Sequence, residues 1–502
     1  MTKQILDLIE KEAAKGRINR REFMHHATVL GVGVASASAL FTSARAATPK
    51  TGGSARVGIN SSGTSDSMDP TKFLSSGDFQ RGFMAFNPLV AIDRKQGPEP
   101  ALATSWEPTT PSGDEWRFEL RQGVTFHNGK AFTSADVVYS LNRHLGPDSE
   151  SPGKALLEQV TEIRPDGKHA VYFKLAAPNA ELPMLLTQPQ FVITPEGADD
   201  FTDAVSTTIG TGAYKLKEFK PGIISAWDRN ENFWGDAWVD EWEVVALTDN
   251  TARMNALLGG DLDVANNVDL KLVGLIESTP GLRLVAHKSS GHLIMTMMTD
   301  REPGNNPDLR LAVKHLVPRK EIVTNAFKGF ALVGNDHQVT PLDPMYCQAM
   351  EQRSYDPDKG KFHLKKAGIN KIQLRTSSVA GPGALEAPLL LREAAKKAGL
   401  EIEIVTEPGD SYWSAVWMQK PLYVTSWNPR PTADLILTIC NRSDAAWNET
   451  RWMNERFDEL LVKARGELDQ DKRLTMYCEM QEMLHNDGGV AMLGFFNYVE
   501  GL

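Results

Sequence analysis

The stretch from Trp116 to Ser140 constrains the fold more than any other part of the chain, because three local signals follow one another within it. Trp116, Phe118 and Leu120 alternate with Arg117 and Glu119, the period-two pattern of a strand with one buried face. Asn128-Gly129 is a turn dipeptide. Thr133-Ser134-Ala135-Asp136 then offers a hydroxyl cap and an early carboxylate ahead of Val137, Val138 and Leu141, which predicts a helix. Ala170 to Leu175 repeats the strand pattern, so a helix flanked by strands is expected here.

Elsewhere short β-rich runs mix with amphipathic helical ones, and no tandem repeat appears. A helix is predicted from about Asn250-Thr251, carrying Met254, Leu257 and Leu258 and stopping at Gly259-Gly260. Beyond residue 290 helical patterns cover Asp308 to Leu316, Arg319 to Phe327, Pro357 to Ala367, Leu385 to Ala398, Glu455 to Leu468 and Lys472 to Asn486. A strand is expected from Leu400 to Thr406. The front half therefore reads as α+β and the back half as α/β.

The N-terminus reads as an export signal. Arg20 and Arg21 stand together ahead of a weakly apolar, Gly- and Ala-rich run from Ala27 to Phe41, and Ala44-Arg45-Ala46 follows. That order is the twin-arginine pattern, with cleavage expected after Ala46. The apolar run is shorter than the roughly 18 residues of a membrane span. Met1 to Ala46 carries a net charge of +3, so the remaining chain of about 455 residues holds about −13 of the overall −10. An acidic chain of that length has room for two or three domains and argues against nucleic acid or an anionic membrane as partner. None of the three cysteines, Cys347, Cys440 and Cys478, stands at the end of the signal where a lipid anchor would attach. One disulfide is possible in an oxidising compartment, but spacing does not choose the pair, and buried free thiols are an equal alternative.

Several motifs in fixed order resemble the extracytoplasmic solute-binding proteins of ABC importers, in the branch of family 5 with dipeptide-, oligopeptide- and nickel-binding members. They are the block Trp116 to Ser140, Gly210-Thr211-Gly212-Ala213-Tyr214, Asn232-Phe233-Trp234-Gly235, Asn255 to Asp263, Asp308 to Ala312 and Tyr355 to Lys359. The resemblance runs from about residue 55 to the end, although family members usually continue a few tens of residues past a strand such as Gly489 to Tyr498. It implies a type II periplasmic-binding-protein fold of mixed α/β and α+β build, cluster C, with two hinged lobes. Domain I would comprise residues 47–88, 211–287 and 488–502, domain II residues 89–210 and domain III residues 288–487, the chain crossing between lobes near 288 and 487. It further implies a periplasmic, unlipidated monomer that takes a small solute or short peptide to separate permease subunits. No cofactor or metal is expected.

The candidate ligand contacts cluster late in the chain. Tyr412, Trp413, Trp417 and Trp427 offer aromatic faces, which hold a solute with few torsions to freeze, and each is otherwise a core residue. In peptide-binding relatives a Trp here is followed three residues on by an Asp that grips the ligand's amino group. This chain has Trp427 followed by Arg430, whose planar fork suits carboxylate or phosphate and repels ammonium. Asp434 is either a surface partner for Arg430 or a replacement carboxylate. An anionic or hydroxyl-rich ligand follows, such as an opine-like or modified amino-acid compound, a sugar conjugate or an atypical peptide.

A catalytic reading of His127, Asp136 and Ser140 lacks a nucleophile elbow and an oxyanion loop, and packing accounts for the block better. Zinc finds no ligand spacing outside His25-His26 in the signal. An exported hydrolase and a solute sensor on the same fold are the competing functions.

Overall fold

The computed structural model describes Ile9, Arg20–Val29 and residues 51–502 other than 94, 95 and 147. Ala46 and the side chains of Arg20 and Arg21 lie outside the described residues; the backbone of Arg20–Val29 is helical. The described chain divides into two compact units. In one, drawn from the ranges up to Ser54 and Gly235–Glu241, Gly52 N donates to Trp238 O at 2.8 Å and Asp240 N to Gly53 O at 2.9 Å. The other, Ala55–Trp234 with Trp242–Leu502, carries the site and the ion pairs argued below.

Among the described residues the strands form sheets of seven, six, four and two. The four-stranded sheet is antiparallel and runs Ala103–Pro108, Glu115–Leu120, Ala170–Leu175, Val160–Pro165. Trp116, Phe118 and Leu120 turn to its buried face, where Phe118 meets Phe173 edge-on at 5.1 Å. The expected helix follows as Ser134–Asn142 and packs Val137 and Leu141 into the same core. Asp136 holds its start, accepting from Thr133 N at 2.8 Å and from the Thr133 hydroxyl at 3.0 Å.

That bond commits Asp136 to the helix cap, and its neighbours are equally occupied. Ser140 Oγ donates to Asp136 O at 2.7 Å, while a ring nitrogen of His127 lies 3.0 Å from Gly212 O. The three side chains build structure rather than a relay. Gly210 and Gly212 have their own reason: a Cβ there would stand 1.9 Å from Ala85 O and 2.4 Å from Ala85 C respectively, so only glycine lets the two backbones pass.

The six-stranded sheet runs Ala331–Leu332, Val490–Phe496, His292–Met297, Leu422–Trp427, Lys371–Thr376, Glu401–Thr406. Its central strand, buried at every residue from His292 to Met297, pairs antiparallel with both neighbours, and the last two junctions are parallel. Burial on both faces fits the apolar run of Val490–Phe496 beside it, also buried at every residue. Helices Pro307–Leu316, Arg319–Asn325, Pro357–Ala367, Glu386–Lys396, Glu455–Gly466 and Gln470–Asp487 lie close to their predicted bounds. The last begins earlier than its apolar pattern because Asp469 caps it, accepting from Asp471 N at 3.0 Å and Lys472 N at 3.1 Å.

The seven-stranded sheet gathers distant segments, from Ser54–Ile59 through Tyr214–Lys220 and Ile224–Arg229 to Leu284–His287 and Tyr498–Gly501. The chain passes from it to the six-stranded sheet between His287 and His292. It returns after Val490–Phe496, which still pairs in the six-stranded sheet, and rejoins the seven-stranded sheet at Tyr498.

Candidate functional site

The two crossings lie side by side and are stitched together. Ser289 Oγ donates to Phe496 O at 2.6 Å, Phe496 N to Gly291 O at 2.9 Å, and Gly291 N to Ser289 Oγ at 3.1 Å. Ser290, between them, holds Arg430: Arg430 N donates to Ser290 Oγ at 3.1 Å and the Ser290 hydroxyl donates to Arg430 O at 3.0 Å. Pro429 and Pro431 flank the arginine and fix the backbone between the strand Leu422–Trp427 and the helix Ala433–Asn441.

Beside Ser290 of the first crossing lies a pocket of about 200 Å³, the open solvent at its mouth included, whose polar walls are Ser290, Gln338, Thr340, Asp343, Arg430 and Thr432. The Arg430 guanidinium donates only to backbone among the described residues, through Nη1 to Pro429 O at 3.1 Å and Asn428 O at 3.4 Å, and its carbon is 5.9 Å from the Trp427 ring. Burial pulls its pKa down from the ordinary value. Among the described residues it has no carboxylate partner. Asp434 pairs instead with Arg465, whose Nε lies 3.0 and 3.2 Å from its two oxygens, and Tyr477 adds a bond at 3.4 Å. The replacement carboxylate considered from sequence is thus already engaged inside the lobe.

The aromatic candidates separate by role. Tyr412 is fully buried in the core of the six-stranded sheet and donates its hydroxyl to Val424 O at 2.6 Å. Trp413 is 43% exposed and touches Tyr412 and Trp417 edge-on. Trp417 and Trp427 converge on one carboxylate: Trp427 Nε1 donates to Glu449 Oε1 at 2.6 Å and Trp417 Nε1 to Oε2 at 2.9 Å. Glu449 is fully buried without a cation among the described residues, and burial pushes its pKa up to about 7 against the opposing pull of these indoles.

Glu449, Trp447 and Asp343 were not legible as site residues. Trp447 is 48% exposed, with its ring 5.9 Å from that of Trp427, and stands in a loop with no periodic pattern. Asp343 lies in the turn Thr340-Pro341-Leu342-Asp343-Pro344, where a carboxylate reads as turn chemistry. It accepts from Met345 N at 2.7 Å, and burial raises its pKa to about 7. The one usable signal was Cys347 nearby. Cys347 is bonded to Cys478 on the helix Gln470–Asp487, with Cα atoms 4.9 Å apart, while Cys440 is free and buried. Gln481 on that helix clasps the same loop, donating to Met345 O at 2.7 Å and accepting from Cys347 N at 3.0 Å.

Sheets joined by paired crossings, with a charged pocket beside them, are the arrangement of a solute receptor. The chain belongs to the bacterial extracellular solute-binding proteins, family 5, whose model matches residues 97–446. It is 24% identical over 463 residues to a di/tripeptide-binding protein of Pseudomonas aeruginosa, covering 84% of this chain and 86% of that one. The fold is that of type II periplasmic binding proteins. It is similar to CtaP, an ABC transporter substrate-binding protein of Listeria monocytogenes, with a TM-score of 0.80 at 19% identity over 90% of this chain and 94% of that chain. It is also similar to AgaA from A. tumefaciens R10 in complex with agropinic acid, with a TM-score of 0.68 at 21% identity over 90% and 93%. Among the described residues no helix is long and apolar enough to cross a membrane.

Proposed function

We propose that this protein is a periplasmic receptor that captures a small peptide-type or opine-like solute by a carboxylate and delivers it to the permease subunits of an ABC importer. The observation that carries the ligand class is Arg430, a guanidinium without a carboxylate partner among the described residues, on the pocket wall beside Ser290 of the first crossing. A planar fork of this kind binds carboxylate through two parallel bonds, and desolvation strengthens them. Trp427 holds the guanidinium from its face, and Trp447 offers the exposed aromatic surface beside it. Relatives include a di/tripeptide-binding protein and a structure holding agropinic acid, which supports solutes of this class.

In this reading the seven- and four-stranded sheets form one lobe and the six-stranded sheet forms the other. The segments at 288–291 and 497 are the hinge. The lobes close because the solute binds the closed form better, and the receptor performs no chemistry of its own. Export follows the Arg20-Arg21 signal with cleavage after Ala46, giving a soluble monomer.

Thermal-shift and calorimetric titration against free dipeptides, opines and their carboxamides tests the ligand class. Free carboxylates should raise Tm, their amides should not, and Arg430→Ala should weaken binding at least tenfold. Equal binding of acids and amides, unaffected by Arg430→Ala, would overturn it.

A further inference from the structure

Besides the two crossings, the loop Gly466-Glu467-Leu468 ties the helices Glu455–Gly466 and Gln470–Asp487 to the four-stranded sheet, packing Leu468 onto its core. The approach is close: a Cβ on Gly466 would stand 2.8 Å from Pro178 Cβ, and one on Gly113 would stand 3.0 Å from Leu468 Cδ2. Ala180 N donates to Arg465 O at 2.8 Å, and beside it Glu181 and Arg473 form a buried ion pair. That pair stands in a wider cluster of charge. Asp434 holds Arg465 and Tyr477, Thr432 bonds to Glu181, and Asp343 faces Glu181 and Arg473 from the pocket wall that it shares with Thr432. Arg430, on the same wall, feels Cys440 and Tyr498 instead. Three carboxylates, Glu181, Asp343 and Asp434, thus face two guanidiniums, Arg465 and Arg473, with one negative charge in excess. Glu181 and Asp434 each hold a guanidinium, whereas Asp343 forms no ion pair among the described residues, so the excess falls on Asp343. A carboxylate out of water and without a cation sheds its cost by taking up a proton. Burial raises the pKa of Glu181 and of Asp343, the latter to about 7.

We propose that this contact is a proton-operated latch: a proton on Asp343 removes its repulsion of Glu181, so that the Glu181–Arg473 pair holds the 466–468 loop against the four-stranded sheet, and loss of that proton loosens the pair and frees the hinge. The proposal rests on the two-lobe closure described above and adds to it a control that acts without solute. Ionised Asp343 weakens the pair twice, by repelling Glu181 and by drawing on Arg473. When the contact parts, Glu181 leaves and water reaches Asp343, whose pKa returns to the ordinary carboxylate range near 4. Unlatching therefore releases a proton. The latch is tightest in mild acid and weakens as pH rises through about 7. For a single proton the ratio of open to latched forms changes by at most about tenfold per pH unit. The disulfide Cys347–Cys478 and the Gln481 clasp keep the Asp343 turn in place, so the charge that operates the latch stays opposite Glu181.

Hydrogen exchange at the Ala180 amide, which spans the contact, and small-angle scattering of the solute-free mature chain read the latch and the hinge separately. Between about pH 5.5 and pH 8 the protection factor of Ala180, corrected for the intrinsic pH dependence of exchange, should fall by roughly tenfold or more. Asp343→Asn keeps an acceptor for Met345 N but carries no charge to repel Glu181, so it should hold the acid value of that protection at both pH values. Circular dichroism at both confirms that the variant is folded. Glu181→Gln with Arg473→Met removes the latch, and should give low protection at both pH values and a larger radius of gyration than wild type. Wild-type protection that does not change with pH would overturn the latch while leaving two-lobe closure intact, and so would a fall that persists in Asp343→Asn. Protection that titrates as expected, with no change in radius when the latch is removed, instead overturns the closure on which the proposal rests.

Discussion

Glu449 shows how one side chain ties the aromatic candidates together. Its carboxylate is fully buried, is held by the Trp417 and Trp427 indoles, and among the described residues has no cation to offset desolvation. Its pKa of about 7 lies above the ordinary value of 4.5, so the folded protein binds this proton more tightly than the unfolded chain. The stabilisation that follows is fully present below about pH 4.5 and is lost as pH rises through about 7. Glu449→Gln should flatten this part of the stability curve, and the difference between variant and wild type across the window should be on the order of a few kcal/mol. Urea unfolding at a series of pH values measures it; parallel curves for the two proteins would count against a buried carboxylate titrating there. The assignment of Tyr412 shows the limit of composition: an aromatic beside Trp413 in sequence is core because the turn of the helix Gly409–Ala415 carries it inward, where its hydroxyl meets Val424 O.

At the scale of elements, the loop with Asp343 depends on the helix Gln470–Asp487 through the Cys347–Cys478 bond, which closes a sequence separation of 131 residues. Cross-linking so long a loop restricts the unfolded chain, and its removal should cost roughly 2–5 kcal/mol. Denaturation of the Cys347→Ser, Cys478→Ser double variant, or of wild type with dithiothreitol, measures that loss. Solute affinity should fall more than the Arg430 side of the site alone would require, because the Asp343 wall is then free to move. Unchanged stability and affinity would show that the Gln481 clasp suffices. Local elements were the most legible part of the chain. Alternation placed the strand Glu115–Leu120, and the Thr133/Asp136 signal placed the helix Ser134–Asn142, since both depend on neighbours within a few residues. The pairing of cysteines was not legible, because sequence spacing says nothing of which Cα atoms approach within reach.

Across the molecule, contacts join the region of the four-stranded sheet to the helices Glu455–Gly466 and Gln470–Asp487. Glu181 and Arg473 form a buried ion pair there, and Ala180 N donates to Arg465 O at 2.8 Å. Arg465 in turn holds Asp434, so the contact continues towards the helix Ala433–Asn441 beside the cavity. Removing one partner leaves a buried charge alone, and Arg473→Met should destabilise by about 3–5 kcal/mol. The double change Glu181→Gln, Arg473→Met avoids that charge and should instead loosen the contact. Small-angle scattering of the solute-free protein should then give a larger radius of gyration than wild type; an unchanged radius with unchanged affinity would show that the pair does not restrain closure.

The sequence by itself determined the local elements, the family and the presence of an arginine three residues after Trp427, because strand and helix periods, caps and motif order are written within short windows of chain. Only the tertiary structure decided what that arginine faces. Asp434 turned to Arg465, 31 residues away, and Asp343 came to the same cavity from a proline-flanked turn. Charges at such a place are paired or left open by the path of the whole chain, and no spacing along the sequence records that path.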